Sequence, residues 1–502
     1  MRHTPVYICL ILSCILYTSA QAQVWPRNRD SLHYRLIGFS VPQHEKATTY
    51  TLQVFPYAED SRTILASTPL LQQDDTGNHI IATVPEFGKS YCWRVLYKKR
   101  KHKYIDSTGI FFFTVRSNPY SDTNITKLRI LTPASDAHKD LMVFNDNSRT
   151  LYNMQGEALW FLPDIPGISN NNYKIRDLKL TPQNTITFLS ADIYACEIDY
   201  NGHMLWQAPD DGKVSGENME HYHHELTRLG NGHYMMAGNK TMPRKLPEYV
   251  SRHTSSERKI YAGEDGYYID TEAGTLIEYD SAGNVVWSWV SGEHFNDSDL
   301  FTPLPDGSLF TDTHLNGFFF NEADSVIYAS FRDVSRIVKI SYPSGKVINS
   351  YGSGYSHNPG VHGDSLFYGQ HACRINNEGN LYLFNNNYSR RTWVGKKPRS
   401  HIVILKEPQG DSTEPQLLWS FNCDIDSFAS GHSTRGGNVY ELRNGDILVC
   451  MGAPNRYFIV NRNKQVVWNA LLELRRTPHR LITPAYRMSP LYTDQLPGLL
   501  YR

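Results

Sequence analysis

The chain has 502 residues, 40% hydrophobic and 12% aromatic, enough for a large core and too long for one small domain. Lys+Arg and Asp+Glu both total 50, which excludes a general polyanion binder and so a nucleic-acid partner. Gly and Pro are frequent and long amphipathic helical runs are almost absent, the composition of an all-β chain with many turns.

At the N-terminus, Val6–Tyr17 (VYICLILSCILY) is apolar, follows a short Arg2/His3 region and precedes Ala20-Gln21-Ala22. Residues 1–22 are therefore expected to be a secretory signal, too short for a confident membrane span, and the mature protein to be exported to the periplasm. Cys14 follows Ile11-Leu12-Ser13, so lipoprotein processing is the alternative, and membrane association is expected only in that case. Cys92, Cys196, Cys373, Cys423 and Cys450 remain after cleavage. That odd number leaves at least one thiol unpaired or bridging another chain. One disulfide among Cys373, Cys423 and Cys450, or buried free thiols throughout, both satisfy the sequence.

Residues 24–118 read as a small β-sandwich of the immunoglobulin or fibronectin-III kind. Short strands such as HYRLIGFSV, TYTLQVFPY, HIIATVPEF, SYCWRVLYKK and GIFFFTV alternate with polar turns. Lys98–Lys103 (KKRKHK) is expected at a solvated hairpin tip. Ser117–Asn124 is a polar linker.

From residue 125 to 502 the chain repeats. One hairpin element ends in Trp160, Trp206, Trp287, Trp419 and Trp468, and KISYPSGKVINSY fills the role without Trp. A second element lies between copies: LKLTPQNTITFLS, HELTRLGNGHYMMAG, LNGFFFNEADSVIYAS, ACRINNEGNLYLFN and VYELRNGDILVCMG. Two hairpins make a four-stranded blade, and six copies predict a six-bladed β-propeller. The largest insertions, Thr241–Thr271 and Tyr388–Ser400, are expected on a rim where they can cover the channel mouth.

Aligned on its turn, the second element brings polar residues to one repeat position. His224 precedes Gly232, His371 precedes Gly379, Arg176 precedes Asn184 and Gly437 precedes Gly445, each by eight residues. His314 lies ten before Asp324, an even offset that keeps the strand face. Equivalent inner positions of a propeller converge on its axis, so His224, His314 and His371 are expected in one cavity. His221 and His223 read as loop neighbours of His224. A single interior histidine is more often a hydrogen-bonded core residue; three at one repeat position are harder to assign that way. They could ligate a metal such as zinc or handle an anionic substrate and its protons. Arg332 would favour the anion, because its fork of N–H donors matches oxyanions; spacing alone does not bring it to the axis.

The segments HHELTRLGNGHYMM, THLNGFFFNEADSVIYASFRDVSRIVKI, GQHACRINNEGNLYLFNN and GGNVYELRNGDILV, with the terminal PAYRMSPLY, resemble the bacterial arylsulfate sulfotransferase family over essentially the whole mature chain. The resemblance implies an exported six-bladed propeller behind a β-sandwich. It also implies sulfuryl transfer from an aryl sulfate donor to a phenolic acceptor, without nucleotide, cofactor or metal. It assigns His371 as the transiently sulfated residue, with His224, His314 and Arg332 holding sulfate oxygens and assisting the leaving group. Asn316 falls in the pocket. Phe331 stands before Arg332 where the family has Ser, and the family's disulfide near the site finds counterparts only in Cys373–Cys423 or Cys423–Cys450. Oligomeric state stays open, a homodimer included.

That chemistry suits these side chains. A sulfate monoester transfers through a loose transition state by analogy with phosphoryl transfer, so positioning and charge stabilisation dominate. A neutral imidazole can form a covalent intermediate, and a second can pass a proton between phenols. Tyr261, Tyr267 and Tyr268, in the large insertion, are candidates to stack on aryl groups. The alternative function is a non-catalytic propeller that holds a sulfated or phosphorylated ligand at its axis.

Overall fold

The computed structural model describes residues 24–99, 103–117, 128–352, 366–388, 399–408, 415–472 and 486–501, apart from 147, 170–172, 302 and 305. The expected signal sequence with Cys14, nearly all of the linker and the middle of the Tyr388–Ser400 insertion lie outside the described residues. The chain divides into a unit ending at Arg116 and a unit beginning at Ser117.

The first unit is a β-sandwich. Asp30–Leu32, Phe111–Val115, Lys89–Lys99, Thr49–Pro56 and Leu71–Asp75 form one sheet, with Lys103–Ser107 beside Lys89–Lys99; Leu36–Ser40 and His79–Thr83 form a second. Alternation on the pleat sends Trp93 inward, fully buried, and its ring meets Phe39 of the small sheet at 5.0 Å. The basic run turns between Lys99 and Lys103, which pair across the hairpin; 100–102 lie outside the described residues. Two features escaped the sequence. Asp30–Leu32 pairs parallel to Phe111–Val115, and Ser61–Ala66 is a short helix capped by Asp60, whose carboxylate accepts from Arg62 N and Thr63 N.

The second unit is a β-propeller. Six blades were expected, and six sheets of four or five strands are found among its described residues. Blade two is typical: Ile175–Leu180 inside, then Ile186–Ser190, Tyr194–Ile198 and Met204–Gln207. In every sheet the outer hairpin carries a register shift at the same place, as at Leu151/Tyr152, Glu197/Ile198 and Ile459/Val460. The cause is the left-handed turn residue, such as Gly156 or Gly202, which inserts one extra residue into the ladder.

The repeated Trp marks a bond between blades. Trp160 Nε1 donates to Tyr200 O, Trp287 Nε1 to Pro343 O and Trp419 Nε1 to Arg462 O, each on the outer turn of the next blade. Trp468 of the last blade donates to Met154 O of the first. The chain ends finish the ring. Arg129–Thr132 pairs with the outer edge of the last sheet, and Met488–Tyr492 takes the inner position of the first.

The Thr241–Thr271 insertion is a prolongation of blade three. Tyr234–Lys245 and Gly266–Tyr279 run on as one long hairpin, with Ile260–Gly263 added as a third strand. All five described cysteines are free and buried. The Cys373–Cys423 and Cys423–Cys450 pairings are thus not made; Cys373 Sγ instead donates to Tyr328 O at 3.4 Å.

Candidate active site

Four of the six inner strands begin with a local break in their ladder. The register shifts between Arg176 and Lys179, His223 and Leu226, Leu315 and Gly317, and His371 and Arg374. At these breaks Asp177, His224, His314 and Ala372 take positive φ of 52°, 62°, 55° and 50°. A side chain with a Cβ adopts this conformation at a cost of about 1–2 kcal/mol, and such residues collect at functional sites. The breaks re-aim the side chains, so neighbouring residues on one strand serve two different clusters.

The first cluster is made of imidazoles. The rings of His224 and His314 lie 5.0 Å apart, nearly perpendicular. His223 Nε2 donates to Asn239 Oδ1 at 2.8 Å. The remaining lone pair, on Nδ1, then accepts from His224 Nδ1 at 2.7 Å, and His224 Nε2 carries a lone pair of its own. His223 is thus a partner in the cluster on the strand Tyr222–Arg228, where a mere loop neighbour was expected. Tyr486 completes the group, with its ring 5.5 Å from His224 and 6.0 Å from His371 and the Arg176 guanidinium 4.2 Å above it.

His371 opens the strand His371–Ile375 and is buried. Its Nδ1 lies 2.6 Å from Asn386 Oδ1, and its Nε2 is buried with no hydrogen-bond partner among the described residues. Burial pushes its pKa down to about 3, helped by the positive charges of Arg332 and then Arg487, so the imidazole is neutral across the physiological range. His224 is held well below the ordinary histidine value by burial and by His223, His314 and His371. Arg332 N donates to His314 O at 3.0 Å, which ties the two residues back to back. The Arg332 side chain makes a paired contact with Asp333, Nε and Nη2 each at 2.9 Å. Burial alone would lower its pKa; the Asp333 carboxylate turns the shift upward. Three of its five N–H donors remain for an oxyanion. Phe331, in the place of the family's Ser, is fully buried and packs on Phe295 at 4.9 Å: a core role explains it.

Asn316 does not face open space. It is buried, and its Nδ2 donates to Gln370 O at 2.7 Å, bracing the peptide that leads into His371. Gln370 Nε2 in turn donates to Ser330 Oγ, Phe331 O and Arg336 O. The three candidate tyrosines engage their own arm. Tyr261 donates to Asp270, Tyr268 donates to Asp265, and Tyr267 is hydrogen-bonded to Arg252. Among the described residues these three make no ring contact with the histidines. The base of the same arm does reach the site: Asn239, Thr241 and Glu272 line a cavity of about 360 Å³ with His223, His224 and His314. No three metal-ligating side chains converge on one point among the described residues.

The second cluster is ionic. Glu225 receives Arg487 Nη1 at 2.8 Å, Arg374 Nη2 at 3.1 Å and Lys179 Nζ at 3.5 Å. Asp177 receives Lys179 Nζ at 2.7 Å and Arg487 Nη1 at 3.3 Å. Burial alone would raise the Glu225 pKa, but the three cations hold it well below the usual carboxylate range. Asp146 anchors the closing strand, accepting from the backbone N–H of both Tyr486 and Arg487.

Sequence reasoning thus found His224, His314 and His371, which the structure brings together, but missed Tyr486, Arg487 and Asn386. A signal for the first two existed: the first blade lacks an inner strand in its own stretch of chain, so the C-terminus must supply it.

Solved structures similar to this chain are distant. A protein of unknown function from Bacteroides caccae is 14% identical, over 70% of this chain and 98% of that one, with a TM-score of 0.41. A putative 6-phosphogluconolactonase from Bacteroides fragilis is 9% identical, over 89% and 99%, with a TM-score of 0.30. The periplasmic gluconolactonase of Pseudomonas aeruginosa is 10% identical, over 89% and 99%, also at 0.30. No curated protein matches. The family model described as Arylsulfotransferase (ASST) matches residues 129–473, which include His224, His314, Arg332 and His371; the chain belongs to the arylsulfotransferase family, whose substrates are small aryl sulfates and phenols.

Proposed function

We propose that the protein transfers a sulfuryl group from an aryl sulfate to a phenol in two steps, through a covalent adduct on His371. The observation that carries this reading is Nε2 of His371, a buried lone pair with no hydrogen-bond partner among the described residues, on an imidazole held neutral beside Arg332. In the first step Nε2 attacks sulfur, the bond from sulfur to the aryl oxygen breaks, and its electron pair leaves with the phenolate. Arg332 and His314 hold the sulfuryl oxygens as charge shifts toward the leaving oxygen. In the second step the acceptor oxygen attacks sulfur and the imidazole departs. His224, kept neutral, is suited to take the acceptor's proton at Nε2. A neutral His224 is a poor acid in the first step, so donors with acidic phenols should be used best.

Intact mass after mixing with 4-nitrophenyl sulfate tests the adduct: a gain of one sulfuryl group is expected, absent in His371→Ala. Nitrophenol release should also rise with added phenol; release indifferent to phenol would point to a hydrolase. We further propose export through the N-terminal signal, with periplasmic fractionation of the full-length protein as its check; retention in the cytoplasm would sink it.

A further inference from the structure

The orientation of one amide decides which nitrogen of His371 can react. Asn386 follows the strand Leu381–Asn385 and is fully buried. Its Nδ2 donates to Ser433 O at 2.9 Å and to Gly436 O at 3.0 Å. Both acceptors are carbonyls, which only an N–H can satisfy, so the amide cannot be turned over without setting its oxygen against two others. Oδ1 therefore faces His371 Nδ1, at 2.6 Å. A carbonyl oxygen only accepts, so Nδ1 must bear the proton. The other nitrogen, Nε2, is left with the lone pair, and it is the buried atom without a partner. The loop that holds Asn386 is itself braced: Ser400 Oγ donates to Asn386 O, and Ser433 N donates to Ser400 Oγ.

We propose that Asn386 is a positioning residue for the transfer, fixing His371 as its Nδ1–H tautomer and so making Nε2 the atom that accepts the sulfuryl group. This rests on the sulfohistidine reading. The choice of an amide over a carboxylate matters for the second step. When Nε2 bonds to sulfur, Nδ1 keeps its proton and the ring becomes cationic. An amide oxygen stabilises that charge through the hydrogen bond but cannot remove the proton. The ring thus leaves as neutral imidazole, a far better leaving group than imidazolate, when the acceptor oxygen attacks sulfur and the bond to Nε2 breaks. The charged and titratable groups acting on His371 are Arg332, Arg487 and His224, with the Tyr486 ring at 6.0 Å. All three disfavour a resting imidazolium when charged; the hydrogen bonds to Asn386 and the Gly369 backbone oppose them only in part, and neither adds a negative charge.

Two measurements test the assignment on the full-length protein. Nitrogen-15 NMR of histidine-labelled enzyme, with His371→Gln used to identify the signal, should show a protonated Nδ1 and a bare Nε2 at neutral pH. The reverse pattern, or a rapidly averaging mixture, overturns the proposal whether or not any variant folds. The second measurement is the pH profile of the nitrophenol burst in Asn386→Asp, where a carboxylate would favour the imidazolium. The acid limb should move up toward neutrality and the burst rate at pH 6 should fall by at least about tenfold, with KM changed little. An unchanged profile in a folded variant also overturns it. A correct tautomer in wild-type protein that shows neither burst nor adduct would instead sink the sulfohistidine reading, and with it the catalytic use of Asn386.

Discussion

The two clusters at the centre of the propeller are built from neighbouring residues and have opposite chemistry. His224 joins the imidazoles and Glu225 the ionic network; Tyr486 touches two histidines and Arg487 bonds Glu225; Arg176 covers Tyr486 and Asp177 receives Lys179. In the ionic network two carboxylates are shared among three cations, and Arg374 Nε alone of those cationic nitrogens is buried without a hydrogen-bond partner among the described residues. The imidazole cluster keeps His371 Nε2 without a hydrogen-bond partner among the described residues and holds His371 and His224 below their ordinary pKa. Burial has the same cost in both. It is met in one by pairing and in the other by discarding charge, and only the second leaves an atom able to form a new bond.

Substitutions should separate the two. His371→Ala should lower turnover by at least about 10³-fold because the nucleophile is lost, with a smaller cost in urea denaturation of about 1–3 kcal/mol from its buried hydrogen bond to Asn386. Arg332→Ala should reduce kcat/KM by about 10²–10³-fold, the usual loss for one oxyanion donor. Glu225→Gln should behave in the opposite way, costing about 3–5 kcal/mol in urea denaturation because the buried Arg487 and the half-buried Lys179 and Arg374 lose their shared anion. If it lowers activity without lowering stability, the network is part of the machinery and the contrast fails.

The pH dependence of stability sharpens the distinction. His371 has a folded pKa of about 3 against about 6.5 unfolded. The unfolded chain therefore binds the proton first as pH falls, and the stability present above about 6.5 is lost progressively toward 3. His371→Gln should flatten the urea midpoint between those values. The smallest effects belong to the blade staples. Trp468→Phe, at a buried bond, should cost about 1–3 kcal/mol, and Trp287→Phe, at an exposed one, about 1 kcal/mol or less, read as shifts in Tm.

The repeat was legible because each blade writes it locally: a turn residue of positive φ, a bulge and a Trp aimed at its neighbour. His224, His314 and His371 were legible for the same reason, since counting back from each turn reaches the inner strand. Arg332 was not, because its link to His314 is a hydrogen bond between two backbones rather than a repeat offset. Tyr486 and Arg487 sit on the strand that returns from the far end of the chain, where no turn exists to count from. The placement of the insertion's tyrosines was not legible, because aromatic content says nothing about direction. Their hydroxyls and rings are used within a three-stranded arm, while Thr241 and Glu272 at its base reach the cavity.

Ring closure by Met488–Tyr492 has a consequence for when the candidate site is complete. The inner strand of the first blade is made after every other strand of the propeller, and Tyr486 and Arg487 arrive with it. A nascent or translocating chain can hold every histidine of the site and still lack the ring that packs between His224 and His371 and the cation that ties Glu225 to Asn316. Assembly of the candidate site is thereby coupled to synthesis past residue 487, and a chain that stops short of residue 486 lacks both groups.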